Sequence, residues 1–364
     1  MKNIRKNNIL TKSHKNIVIP AFTLFLDIET TGFSGSGSRL YLIGTAYMKN
    51  GKLIGEQFFA ETPKEESLLL AALDNLLTQF DTVVTFYGNH FDLPFLEKCK
   101  KRLNLPSVNH NIHYVDLYET ARTYRHIFGL ENYKLKTLER FLGIRRDEPY
   151  DPAELTKIYE TYVRQPQEDL LHLLLTHNLN DILGMIRLLS LSAFDSFFNG
   201  GFTPVECTLE SFRKMDGSAG KELSVSCRID TALPAAVSCK NDCFYLHAEK
   251  NSACLRIPLL ESTLKYFYPD YRNYYYLPDE DMAIHKSVAF YVDASHREKA
   301  KAANCYGKKT GMFLPQYEEV ITPALSAHYK APLLYFEWKD TFEKDLTLIK
   351  RYCMHILQIL QKGI

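Results

Sequence analysis

An excess of either charge is the first thing missing from this 364-residue chain, which sets 44 Lys and Arg against 43 Asp and Glu. That balance excludes a histone-like or tail-driven coating of nucleic acid, though not a locally charged site. Long apolar runs are missing too, since nothing approaches the ~18 consecutive apolar residues of a membrane span. The apolar run 17–26 follows the basic residues Lys2, Arg5, Lys6, Lys12 and Lys15 and superficially imitates a secretory signal. It has no small-residue cleavage site and ends directly in Asp27-Ile28-Glu29, so the imitation fails. We expect a soluble, cytoplasmic protein with no membrane partner and a basic, solvated N-terminal arm over residues 1–20. Tryptophan occurs once, yet aromatics make up 13% of the chain, too many for a disordered polypeptide. No internal repeat is evident, which argues against a solenoid.

Cysteine is present but never as Cys-x-x-Cys, so neither a zinc ribbon nor a redox pair is indicated. The cluster Cys227, Cys239, Cys243 and Cys254 invites a metal reading. Cys243 and Cys254, however, fall beside strand-like runs joined by the turn Lys250-Asn251, so buried thiols in a hairpin are expected instead.

What is present is a length suited to two domains and 46% apolar residues to build their cores. Residues 22–27, 40–48 and 53–60 are strand-length, rich in aliphatic and aromatic side chains, and separated by glycine-containing turns, which predicts an antiparallel start. Helix 64–79, strand 82–87, helix 91–103 and strand 112–115 follow, then helices over 117–128, 135–142, 153–163 and 166–191. Such an order belongs to the α/β class: a mixed sheet covered by helices on both faces, here over residues 21–198. Asn199-Gly200-Gly201 is the expected boundary, and residues 199–364 read as a smaller α+β C-terminal domain closed by an amphipathic helix over 341–362.

Three polar constellations interrupt the first domain. Asp27 and Glu29 end the first central strand, and the two-residue period turns both carboxylates to one face. Two adjacent carboxylates resist joint ionisation, and a hard divalent cation relieves that repulsion. Asn89-His90-Phe91-Asp92 follows the buried strand 82–87, where ligands of open α/β sheets gather; an acid in a first helical turn also simply complements the helix dipole. In His177-Asn178-Leu179-Asn180-Asp181, the four-residue spacing puts His177 and Asp181 on one helix face, inside a segment otherwise filled with leucine.

Asp-Ile-Glu-Thr-Thr-Gly after an apolar strand, then Asn-His-Phe-Asp, then an acid in a late helix resembles the DEDD (DnaQ-like) 3′–5′ exonucleases of ribonuclease H-like fold. Residues 20–192 are most similar to the YprB-type branch, and 135–144 match its LxxLExxLGI stretch. The resemblance implies that Asp27, Glu29, Asp92 and Asp181 hold two Mg²⁺ or Mn²⁺ ions about 3.5–4 Å apart across the scissile phosphate. One ion would generate hydroxide, and the other would stabilise the departing 3′ oxygen. It further implies that Thr30, Thr31, Gly32, Asn89 and Phe91 contact the terminal nucleotide, although Phe91 also reads as an ordinary core residue.

One position departs from the pattern. One subgroup of the family carries tyrosine four residues before the last acid, and the other histidine five before it; here His177 takes the tyrosine's spacing and Thr176 the histidine's. His177 would act as general base, its ordinary pKa of about 6.5 being suitable, or stand as a supporting histidine.

In the second domain, seven aromatic residues between Tyr266 and Tyr276, with the bases between Lys286 and Lys309, suggest either a track for single-stranded nucleic acid or a packed tyrosine seam beside solvated lysines. The resulting expectation is a metal-dependent exonuclease acting on the 3′ end of DNA or RNA. A binding module with a degenerate site and a structure-selective endonuclease are the alternatives.

Overall fold

The computed structural model describes residues 1–9, 17–106, 111–146, 150–213 and 217–364, in two compact units. Met1–Arg125 and Leu130–Ser192 form the first unit; His126–Gly129 and Ala193–Ile364 form the second.

The first unit runs β1 (Lys2–Asn7), β2 (Thr23–Thr30), β3 (Leu40–Lys49), β4 (Lys52–Phe59), α1 (Glu66–Leu77), β5 (Thr82–Thr85), α2 (Asp92–Arg102) and β6 (His113–Asp116). Five helical segments follow along the chain, α3 (Leu117–Thr123), α4 (Arg125–Phe128), α5 (Leu135–Phe141), α6 (Pro152–Arg164) and α7 (Glu168–Leu188), of which α4 from His126 onward belongs to the second unit. Its six strands form one mixed sheet in the order β1-β4-β3-β2-β5-β6. The pairs β1/β4, β4/β3 and β3/β2 are antiparallel, whereas β2/β5 and β5/β6 are parallel.

The pleat of β2 explains both layers. Leu24, Leu26 and Ile28 point to the side where Leu69, Leu73 and Phe95 of α1 and α2 are buried. Opposite, Tyr41, Leu42 and Phe59 pack with Leu155, Tyr159 and Tyr162 of α6 and Leu171 and Leu174 of α7. Tyr41 stacks on Tyr159 at 4.2 Å between ring centroids. The start of α6 is set by a capping box: Asp151 accepts the Glu154 N–H while Glu154 accepts the Asp151 N–H, with Pro152 in the first turn.

The expected N-terminal arm requires correction in its first part. Lys2–Asn7 pairs with β4, from Lys2 opposite Phe59 to Asn7 opposite Ile54. Ile4 turns inward while the charged neighbours face out, a pattern that suits a sheet edge. Lys12 and Lys15 lie outside the described residues.

The second unit contains α8 (Ser192–Phe198), β7 (Phe202–Arg213), β8 (Ala219–Ile229), β9 (Val237–Lys240), β10 (Tyr245–Glu249), β11 (Ser252–Pro258), β12 (Leu260–Phe267), β13 (Tyr274–Leu277), β14 (Met282–His285), α9 (Lys286–Ala289), β15 (Glu298–Lys299), β16 (Tyr306–Gln316), β17 (Leu334–Glu337) and α10 (Leu346–Lys362). Its sheets are β7-β8-β11-β10-β9, β12-β16-β17 and β14-β13-β15. The units part at Ser192 and Ala193, a few residues before the expected glycine pair. Phe194 packs on Phe128 at 4.9 Å and Phe197 on Phe202 at 5.7 Å, which ties this helix to the second core. The closing helix begins at Leu346, later than expected, because Asp345 caps it by accepting the Leu348 N–H.

The expected hairpin is present as β10 and β11, which pair antiparallel with His247 opposite Cys254; Cys243 is buried just before β10, whereas Cys254 is only half-buried. The tyrosine-rich segment makes a small core: Tyr268, Tyr271, Tyr274 and Tyr276 pack around Ala283, Ala300 and Cys305. Lys308 and Lys309 pair with Asp281 at 2.5 Å and Glu337 at 2.7 Å.

Candidate active site

The three polar constellations meet at the carboxyl end of β2. Asp27 and Glu29 lie on the β2 face turned toward α7, and a register irregularity after Glu29 ends regular pairing with β3 there. Opposite Asp27 in register stands Gly44 of β3, and a methyl group at that glycine would overlap the Asn178 carboxamide. The missing side chain lets α7 approach closely enough for Asn178 Nδ2 to donate to Asp27 Oδ2 at 2.7 Å. Gln57 Nε2 donates to Asn178 Oδ1 at 2.8 Å and so fixes which way the amide faces. Asn178 is fully buried.

Asp92 arrives from the other side of β2 on the first turn of α2, and its Oδ1 accepts the Ile28 N–H at 3.2 Å. The connection leading to it is held by Asp116 at the end of β6, whose carboxylate accepts the N–H groups of Tyr87 at 2.8 Å, Asn89 at 3.0 Å and Tyr118 at 3.0 Å. Tyr87 turns the chain there in the left-handed region, with φ 63°.

On α7, His177 Nε2 lies 3.7 Å from Glu29 Oε1 and 3.6 Å from Asp181 Oδ2. Potential ligand atoms of Glu29, His177 and Asp181 all fall within 4.8 Å of one another. Arg146 Nη2 stands 2.5 Å from the other oxygen of Asp181, Oδ1.

Electrostatics make the cluster unfavourable by itself. Burial raises the Asp27 carboxyl well above the usual carboxylate range, and the charges of Asp181, Glu29 and Asp92 raise it further against the Asn178 hydrogen bond. Burial likewise pushes Asp92 up to about 7, although the Ile28 N–H opposes the shift. The donors are chiefly hard carboxylate oxygens with one imidazole, crowded closely together. That is the chemistry of a site for a hard divalent cation.

Asp27, Glu29 and Asp181 open into a cleft of about 560 Å³ whose walls also include Thr30, Thr31, Gly32, Phe33, Phe91, Thr156, Lys157, Glu160 and His177, while Asp92 is buried behind it. The Thr30 hydroxyl donates to Gly32 O at 2.8 Å, and the Thr31 hydroxyl accepts the Arg39 N–H at 2.9 Å, so both stiffen this wall. Phe33 is 88% exposed and meets Phe91 edge-on at 6.2 Å. Asn89 lines a separate hollow with Asp74, Lys100 and Tyr114.

Sequence reasoning missed Asn178, Gln57 and the α6 contributions Thr156, Lys157 and Glu160. Asn178 had a signal in the polar break of α7; the others had none, because their proximity depends on how α6 and α7 cross the sheet.

Comparison with known proteins agrees with this architecture. Residues 24–192 match the RNase_H superfamily, and this domain belongs to it. Within that superfamily the domain is of the YprB type. It is 29% identical over 170 residues to the uncharacterized protein YprB of Bacillus subtilis (strain 168), a match covering 45% of this chain and 40% of the relative. The chain thus spans less than half the length of that relative. Among solved structures, it is similar to the family B DNA polymerase of Pyrobaculum calidifontis, with 15% identity, coverage of 70% and 35% of the two chains and TM-score 0.37. It is also similar to E. coli exonuclease I bound to a dA16 oligonucleotide, with 16% identity, coverage of 58% and 55% and TM-score 0.31. Among the described residues, no helix is long and apolar enough to cross a membrane.

Proposed function

We propose that this protein is a metal-dependent nuclease that removes nucleotides from the 3′ end of single-stranded or frayed DNA or RNA in the cytoplasm. The observation that carries the reading is the convergence of Asp27, Glu29, Asp92 and Asp181 from β2, α2 and α7 of a ribonuclease H-superfamily domain. Burial holds Asp27 and Asp92 above the ordinary carboxylate range, and the charges of Asp181, Glu29 and Asp92 raise Asp27 further, a state that cation binding relieves.

Those four acids would hold two Mg²⁺ or Mn²⁺ ions, which when bound polarise a phosphate and make a water more acidic. His177 Nε2 faces Glu29 and Asp181 and would take up the proton of the attacking water. Thr30, Thr31 and Gly32 form one wall for the terminal nucleotide, and Phe33 and Phe91 offer ring faces that stack a base of any sequence. Lys157, on the α6 wall, supplies a positive charge to a phosphate.

Purified protein incubated with end-labelled single-stranded DNA and RNA, with and without Mn²⁺, tests the reading. Expected is stepwise loss from free 3′ ends, absent on 3′-blocked and circular substrates and abolished in Asp27→Ala and Asp181→Ala. Cutting of circles would replace it with an endonuclease, and binding without products in any metal would replace it with a binding module.

A further inference from the structure

Behind Asp181 lies a second charged layer. Glu139 on α5 is 1% exposed, and its Oε2 lies 2.9 Å from Arg146 Nε; Arg146 Nη2 in turn lies 2.5 Å from Asp181 Oδ1. Gly184 gives this layer its room, because a methyl group there would overlap the Glu139 carboxylate. Gly184 stands three residues beyond Asp181 on α7, so both occupy one side of that helix. A charge buried in such a place is retained at a cost unless it is paired, which gives the pairing a purpose to explain.

The two oxygens of Asp181 have different surroundings. Oδ1 is engaged by Arg146, while Oδ2 faces His177 and the Glu29 group. Asp181 lines the cleft, whereas Arg146 is not among its lining residues. The guanidinium therefore stands behind the carboxylate and leaves the cleft-facing oxygen free to act.

We infer that Glu139 and Arg146 are positioning residues that lock the Asp181 carboxylate with Oδ2 turned into the cluster, and thereby set the affinity of the site for divalent metal. The inference rests on the nuclease reading. Outer-layer partners of metal ligands act in this way by fixing ligand orientation, and their loss typically weakens binding about 10–100-fold. The fork of an arginine suits the role because one edge can grip Glu139 while another grips Asp181; a lysine offers a single point of attachment.

Mn²⁺ binding to the full chain, measured by calorimetry alongside circular dichroism, tests this. Arg146→Ala should weaken Mn²⁺ binding by about 10–100-fold with the fold retained, and cleavage should recover as Mn²⁺ is raised. Arg146→Lys should lie between it and the parent protein, and Glu139→Gln should show a smaller loss in the same direction. If Arg146→Ala fails to fold, Arg146→Gln carries the same test. Unchanged affinity in these variants overturns the inference while leaving the nuclease reading intact. Tighter binding also overturns it, since Arg146 would then be a competing cation. A parent protein that binds no Mn²⁺ and cleaves nothing overturns both.

Discussion

Two carboxylates in this molecule, one in each unit, sit among strong neighbours with opposite results. Asp27 in the first unit is half-buried beside Glu29, Asp92 and Asp181 with one amide donor, and its carboxyl is driven upward by desolvation and then by those acids. Asp281 in the second unit is gripped by Lys308 at 2.5 Å, accepts a hydrogen bond from Tyr276 at 2.6 Å and another from Tyr306, and is held far below the usual range, first by Lys308. The second cluster is complete within the chain. The first sets several carboxylates against one another, and their repulsion of Asp27 is what a cation from outside would relieve. Polarity and proximity alone do not mark a functional site; a carboxyl driven upward by burial and like charges in a cleft is the stronger sign.

The sharpest way to break this contrast is Asp27→Asn. Cleavage should fall by more than two orders of magnitude, beyond the roughly 10–100-fold expected of outer-layer changes. The metal-free protein should become more stable by about 1–2 kcal/mol, because a repelled buried charge has gone. Denaturant unfolding without metal and a nuclease assay with Mn²⁺ read the two effects, and a variant that loses both activity and stability would contradict the electrostatic account.

A pH series sharpens the same contrast with a smaller effect. Asp92 stands at about 7 in the folded protein against 3.8 ordinarily, so the folded state binds its proton more tightly than the unfolded chain does. Its contribution to metal-free stability is therefore greatest below pH ~4 and is lost as pH rises toward 7. Mn²⁺ should flatten that dependence by replacing the proton, and Asp92→Asn should remove this part of it. Melting temperatures from pH 5 to 8, with and without Mn²⁺, check the slope; an unaltered slope in Asp92→Asn would rule Asp92 out as its source.

The smallest effect is expected at the other carboxylate. Asp281→Asn should cost about 1 kcal/mol, since its partly exposed ion pair is screened by solvent, and should leave Mn²⁺ affinity and cleavage unaltered. Hydrogen exchange in β13 and β16 would register the loosening.

Much of the first unit was legible along the chain. The strands β2 to β5 and the helices α1, α2 and α7 follow from period and breakers, and three motifs mark Asp27, Glu29, Asp92, His177 and Asp181 by residue type and spacing alone. The first strand was not legible, because a short run of lysine, arginine and asparagine becomes a strand only when β4 offers it an edge. Nor was the hollow that Asn89 lines, since it lies on a turn shaped by the left-handed Tyr87 and by the Asp116 carboxylate.

By itself the sequence determined which carboxylates were available and which face of each element carried them, because side-chain direction follows from the local period of strand and helix. Only the tertiary structure decided that Gly44 would admit Asn178 to Asp27 and that Gly184 would admit Glu139 beside Asp181. Those are properties of how closely two elements approach. Close packing settles such distances globally, and no stretch of the chain contains them.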